Sequence, residues 1–148
     1  RKMKVGKVTF TEAYKAVNEY RQKFPQKAVT FYAQNYPAMG WAVFMAGGSC
    51  PVIPCTDKAF LKDAAAMEVE ETNTDEYKKM VKSDIGSIIY SKSGTEIPVQ
   101  LSSGKYVLKY IHPASGKIET INKSLKINGL YKLKVPDKKE GIYWFHKL

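Results

Sequence analysis

At 148 residues, 44% of them apolar and 26% charged, the chain has the composition of a folded domain and not of a disordered tail. Its formal charge of +10 is built almost wholly from lysine, with arginine only at positions 1 and 21. Phosphates and base edges are read best by the planar fork of arginine, so a specific nucleic-acid function is disfavoured and a lysine-covered solvated surface is expected.

From the N-terminus, nothing after Arg1 combines a basic start, an apolar stretch and a small-residue cleavage site, so no intact signal peptide is expected, and a chain that starts without Met is expected to have been trimmed. Residues Thr9 to Phe24 place Tyr14, Val17, Tyr20 and Phe24 at helical spacing, with Thr9 and Glu12 set for a capping box and Pro25 ending the helix. Lys27 to Ala33 is β-branched and aromatic, which predicts a buried strand turning at Gln34-Asn35-Tyr36. Pro37 then opens an all-round apolar helix that Gly47-Gly48 closes. Its longest apolar run, Ala38 to Ala46, is too short for the ~20 residues of a membrane span.

The motif SCPVIPC carries Cys50 and Cys55. No further cysteine or nearby histidine completes a metal set, and no phosphate loop or other cofactor motif accompanies it, so neither metal nor cofactor is expected. A local disulfide and two buried thiols both remain open. Cys50 to Pro54 reads as a second strand, and Thr56 or Asp57 as the cap of a third helix running through Met67, with Phe60, Ala64 and Met67 on one face. The stretch Ala28 to Thr56 contains no Asp, Glu, Lys, Arg or His, which suits a doubly covered parallel sheet and leaves no general acid or base in it.

Glu68 to Lys79 is polar and reads as a connection, with one helical turn around Tyr77 to Val81. Beyond Ser83 come IGSIIYS, TEIPVQL, GKYVLKYIH, KIETINKSLKI, LYKLKV and GIYWFHKL, separated by Gly, Ser, Asn and Pro turn signals. About six short strands in this span predict a small antiparallel sandwich. The fold class is therefore α+β: an N-terminal α/β segment, residues 1–82, followed by an antiparallel β-sandwich, residues 83–148. Lysines alternate with apolar residues in Lys105 to Tyr110 and Tyr131 to Val135, which puts them on water-facing positions. Trp41 and the run Tyr143-Trp144-Phe145 read as core, and His112 and His146 lack the partners of a hydrolytic triad.

The segment VQLSSGKYVLKYIHPASGKIE, with the terminal IYWFHKL, resembles the β-sandwich that follows the catalytic barrel in bacterial glycoside-hydrolase-like proteins, a module sometimes labelled collagen-binding. Pro113 and Gly116 match that module's Asp-Pro-Arg-Thr-Gly turn, whereas His112, Ala114 and Ser115 depart from it. GWAVFMAGG and the strand and capped helix after it look like the last elements of the preceding (β/α)₈ barrel. The resemblance implies the C-terminal part of a secreted, periplasmic or cell-surface carbohydrate-active protein, with a carbohydrate ligand and the rest of a barrel, or another polypeptide, as partners. It further implies that Gln34, Asn35, Tyr36, Thr56 and Asp57 lie on the substrate-binding side, because such barrels build their sites after the strands. A paired set of catalytic carboxylates is missing from those positions, Gln34 standing where a nucleophilic Glu would fall, so a supporting role is favoured over catalysis by this chain. The competing reading is a non-enzymatic module that binds a polysaccharide or an anionic polymer.

Overall fold

The computed structural model describes residues 8–30, 37–49, 51–92 and 94–148. The chain divides into two compact units, Arg1–Ile53 and Pro54–Leu148. It is a mixed α+β chain, as its sequence predicts, with three helices, a six-stranded sheet and a two-stranded sheet among the described residues.

In the first unit, α1 (Phe10–Lys23) begins at Thr9. The Thr9 hydroxyl accepts from the Glu12 N–H at 3.2 Å and the Glu12 carboxylate accepts from the Thr9 N–H at 2.8 Å, closing the expected capping box. The buried face is Phe10, Ala13, Tyr14 and Val17. Tyr20 and Phe24, expected on that face, are instead exposed at 58% and 41%; they stack on each other, and the Lys27 ammonium lies 5.3 Å above the Phe24 ring. Helix α2 (Pro37–Met45) is buried from Trp41 through Met45. It ends in a paired turn, with Gly47 N–H donating to Phe44 and Gly48 N–H to Val43, and Gly47 takes the positive φ of 72° this requires.

The expected strand from Lys27 lies partly outside the described residues, and residues 28–30 join no ladder. One backbone bond, from Ser49 N–H to the Val29 carbonyl at 2.7 Å, ties them to the segment after α2. The expected strand at Cys50 to Pro54 does not form over residues 51–54. Pro51 and Pro54 have no N–H to give a ladder, and the segment instead crosses α2 so closely that a Cβ on Gly40 would lie 1.8 Å from the Val52 carbonyl oxygen. Cys55 is a free, buried thiol, raised above its ordinary pKa chiefly by that burial; Cys50 lies outside the described residues.

The second unit starts with α3 (Lys58–Ala66), capped by Asp57, whose carboxylate accepts from the Phe60 N–H at 2.9 Å. Eight strands follow: β1 (Glu68–Glu70), β2 (Tyr77–Lys82), β3 (Gly86–Ser91), β4 (Glu96–Gln100), β5 (Gly104–Ile111), β6 (Ile118–Ile127), β7 (Leu130–Lys134) and β8 (Gly141–Lys147). The units part at residue 53, so α3, β1 and β2, which fall inside the 1–82 segment, lie with the strands beyond it. Residues Tyr77 to Val81, expected as a helical turn, are the strand β2: Met80 is 5% exposed opposite Ile88, and pairing on both edges with β1 and β3 overrides the local polar pattern.

All pairs are antiparallel. The large sheet runs β1-β2-β3-β8-β5-β6, and β4-β7 covers part of it. Alternation along β8 sends Tyr143 and Phe145 into the core between the sheets, with Ile89, Val99, Tyr106, Leu108, Tyr110 and Leu133. Trp144 points the other way, onto Phe60 of α3 at 5.3 Å between ring centres. Tyr143, Trp144 and Phe145 are all buried, as is Trp41, in line with their reading as core.

Candidate functional site

Two concave places form on the second unit. The first is a groove of about 340 Å³ beside α3 and β8, lined by Lys62, Asp63, Asp84, His146 and Lys147 among others. Its centre is Asp63, 6% exposed, whose Oδ2 accepts from Trp144 Nε1 at 2.9 Å and lies 2.7 Å from His146 Nδ1. A buried carboxylate needs such partners, and both of these come from β8. The cluster therefore locks α3 onto the sheet. Among the described residues no serine or cysteine lines the groove beside His146.

The second is a cleft of about 410 Å³ at the open side of the sandwich. Leu108, Leu133 and Tyr143 line it from the core, the β7 run from Tyr131 to Lys134 forms one wall, and Ile121 of β6 and Pro136 with Lys139 complete it. An irregularity in the β5–β6 ladder lies beside it. Leu108 pairs with Asn122 and Lys109 with Thr120, so Ile121 has no opposite residue, and this bulge leaves it 52% exposed. The β7–β8 loop is held above β5 by Tyr110, whose hydroxyl donates to the Glu140 carbonyl at 2.7 Å. Lys139 ends 4.0 Å from the centre of the Tyr110 ring.

Three lysines, 132, 134 and 139, and two tyrosines, 131 and 143, thus line one concavity. Lys132 lies 3.7 Å from Glu96 of the paired strand β4. Among the described residues, Lys134 and Lys139 have no ion-pair partner. Tyr143 is 2% exposed and its hydroxyl has no hydrogen-bond partner among them. Burial, with Tyr110 nearby adding to it, pushes that phenol up to about 12, so it is a proton donor at any physiological pH.

Of the residues predicted for substrate, Gln34, Asn35 and Tyr36 lie outside the described residues. Thr56 is exposed just before α3, and the Asp57 carboxylate is engaged as the helix cap. Neither lines the cleft. The cleft residues escaped the sequence reading, although the alternation of Tyr131 to Val135 marks β7; the bulge at Ile121 beside the cleft has no sequence signal of its own. Among the described residues no three His, Cys, Asp or Glu side chains are placed to hold a metal ion, and no helix is long and apolar enough to cross a membrane.

These features define a mixed α+β chain whose larger unit is a sandwich-like domain with a lysine-rimmed, tyrosine-lined cleft. Residues 1–67 match a family model described as "Domain of unknown function (DUF6298)". No curated protein matches the chain. Among solved structures, one described as a glycoside hydrolase is similar over 53% of this chain and 19% of its own, at 16% identity and a TM-score of 0.41. The capsular polysaccharide assembling protein CapF from Staphylococcus aureus aligns over 99% of this chain and 59% of its own, at 12% identity and a TM-score of 0.17. This chain therefore spans about a fifth of the length of the first and under two thirds of the second. Likeness at these levels fixes neither fold nor chemistry, which rest on the geometry above.

Proposed function

We propose that this chain is the C-terminal part of a glycoside-hydrolase-like, carbohydrate-active protein acting outside the cytoplasm, and that its 54–148 unit holds polysaccharide without cleaving it. The observation that carries this reading is the cleft, where Tyr131 and Tyr143 line an open concavity rimmed by Lys132, Lys134 and Lys139. Aromatic faces shield the apolar faces of sugar rings, and long polar side chains reach their hydroxyls. The resemblance of YIHPASG to the turn in sandwiches that follow glycosidase barrels adds support. His112 to Gly116 makes the hairpin turn between β5 and β6 at that place, with Gly116 at a positive φ of 73° and its N–H donating to the His112 carbonyl. In the parent protein, the first unit would complete a barrel with other residues or another polypeptide, and Gln34, Asn35, Tyr36, Thr56 and Asp57 would face its substrate side.

Affinity electrophoresis of the full chain through gels carrying a panel of neutral and acidic polysaccharides tests the proposal. Retardation by at least one polymer, with loss on Tyr131→Ala and no release of reducing ends, is the expected result. Unretarded migration in every gel would refute it.

A further inference from the structure

We infer that the cleft selects an acidic polysaccharide, one whose sugar rings carry carboxylates, with Tyr143, Lys134 and Lys139 as the groups that read the charge. The inference rests on the carbohydrate-binding reading above and narrows it to one ligand class. Three observations converge on it. Lys134 and Lys139 line the cleft without an ion-pair partner among the described residues, whereas Lys132 is matched by Glu96 at 3.7 Å. Among the described residues no Asp or Glu lines the cleft, and Glu96, which stands opposite Lys134 in the β4–β7 ladder, forms its ion pair with Lys132. The Tyr143 hydroxyl, in a residue 2% exposed, has no acceptor among the described residues, although buried hydroxyls in folded proteins are nearly always bonded.

A neutral sugar offers this cluster hydroxyl groups that could equally be bound elsewhere. A carboxylate offers two strong acceptor oxygens and a charge, the chemistry that suits both a phenol donor and the ammonium groups. Lys139 sits over the Tyr110 ring in this structure, on a loop that also carries Pro136 into the cleft wall, so its ammonium can turn from the ring to a ligand by side-chain rotation. The lysines make the attraction long-ranged and the single phenol makes it local, which separates selective recognition from the pull that any cationic surface exerts on a polyanion.

The experiment uses the full chain and measures binding by calorimetry to polygalacturonate and to the same polymer fully methyl-esterified, which keeps the backbone and removes the charge. Binding to the acid form that weakens with salt, and at least tenfold weaker binding to the ester, is expected. Lys134→Ala with Lys139→Ala should weaken binding to the acid form by about tenfold or more and flatten the salt dependence. Tyr143→Phe should weaken it by about tenfold while leaving the salt dependence unchanged, and its thermal unfolding reports that the fold is intact. Equal affinity for acid and ester would overturn the inference while leaving carbohydrate binding in place. Failure to bind either polymer or any neutral polysaccharide would remove both readings. Equally tight binding of inorganic polyphosphate, indifferent to Tyr143→Phe, would mark a general cationic surface and likewise overturn the inference.

Discussion

Replacing Asp63 with alanine removes the acceptor that joins α3 to β8. The carboxylate is 6% exposed and serves two donors, and those donors fare differently when it is gone. Trp144 is fully buried, so its Nε1–H is left without a partner, a loss of about 1–3 kcal/mol. The His146 side chain is 35% exposed, so its ring nitrogen regains water and its bond counts for much less. The combined loss is about 2–4 kcal/mol, or a drop in Tm on the order of 10–25 °C for a unit of this size. Asp63→Asn keeps the shape and one acceptor oxygen, so it should lose only about 1 kcal/mol. Urea unfolding followed by far-ultraviolet circular dichroism measures both variants, provided the slopes with denaturant agree. The decisive readout is the cycle with Trp144→Phe, which takes away the stranded donor: the double variant should be less destabilised than the two single changes add up to. Alanine and asparagine variants equal within about 0.5 kcal/mol, or an additive cycle, would show that the buried indole does not depend on Asp63.

Tyr143→Phe removes a buried hydroxyl that has no partner among the described residues, so the variant should be more stable by about 1 kcal/mol at neutral pH even as its ligand binding weakens. Because the phenol is pushed up to about 12, the wild-type chain should lose stability between pH 10 and 12, and the phenylalanine variant should lose less; thermal melts at pH 9 and 11 compare the two. Burial also raises Glu140, a carboxylate that accepts from the Tyr90 hydroxyl. A raised acid favours folding below its ordinary value of 4.5 and loses that advantage as pH climbs through its folded value, so Glu140→Gln should gain in Tm over wild type between pH 4 and 7. Melting both proteins across that range checks the sign, and a gap independent of pH would contradict it. Gly116→Ala should destabilise the second unit by more than about 1 kcal/mol, because a positive φ coincides with a Cβ only 2.6 Å from the Pro54 carbonyl oxygen; unchanged urea midpoints would refute this.

Much of the fold was legible because local chemistry and tertiary packing agree in it. Thr9 with Glu12, Pro37 with Gly47, and Asp57 each announce a helix end in their own side chains or backbone freedom, and the strands from Gly86 onward are rich enough in β-branched and aromatic residues, with turn signals between them, to be counted. Where the two disagree, the sequence misleads. Tyr77 to Val81 has a weak local preference, and only its place between β1 and β3 makes it a strand. The apolar run around Pro51 and Pro54 looks like a strand in composition, yet prolines cannot supply the ladder. The cleft was hidden for a different reason. Its lysines come from β7 and the β7–β8 loop, its phenol from β8 and its exposed apolar wall from a bulge in β6, so no single segment carries its signature.

The position of β8 also governs how the molecule comes into being. It follows all of its neighbours in the chain, yet it sits in the middle of the sheet, between β3 and β5. During synthesis β3 and β5 emerge with their facing edges open, and no earlier strand in the described sheet bridges them. The half-made unit therefore presents two apolar, unpaired strand edges until Gly141–Lys147 arrives, and each edge is a template for pairing with another chain. Closure then depends on contacts between residues far apart in sequence, which makes the last step of folding a slow one and the nascent chain the stage most exposed to misassembly.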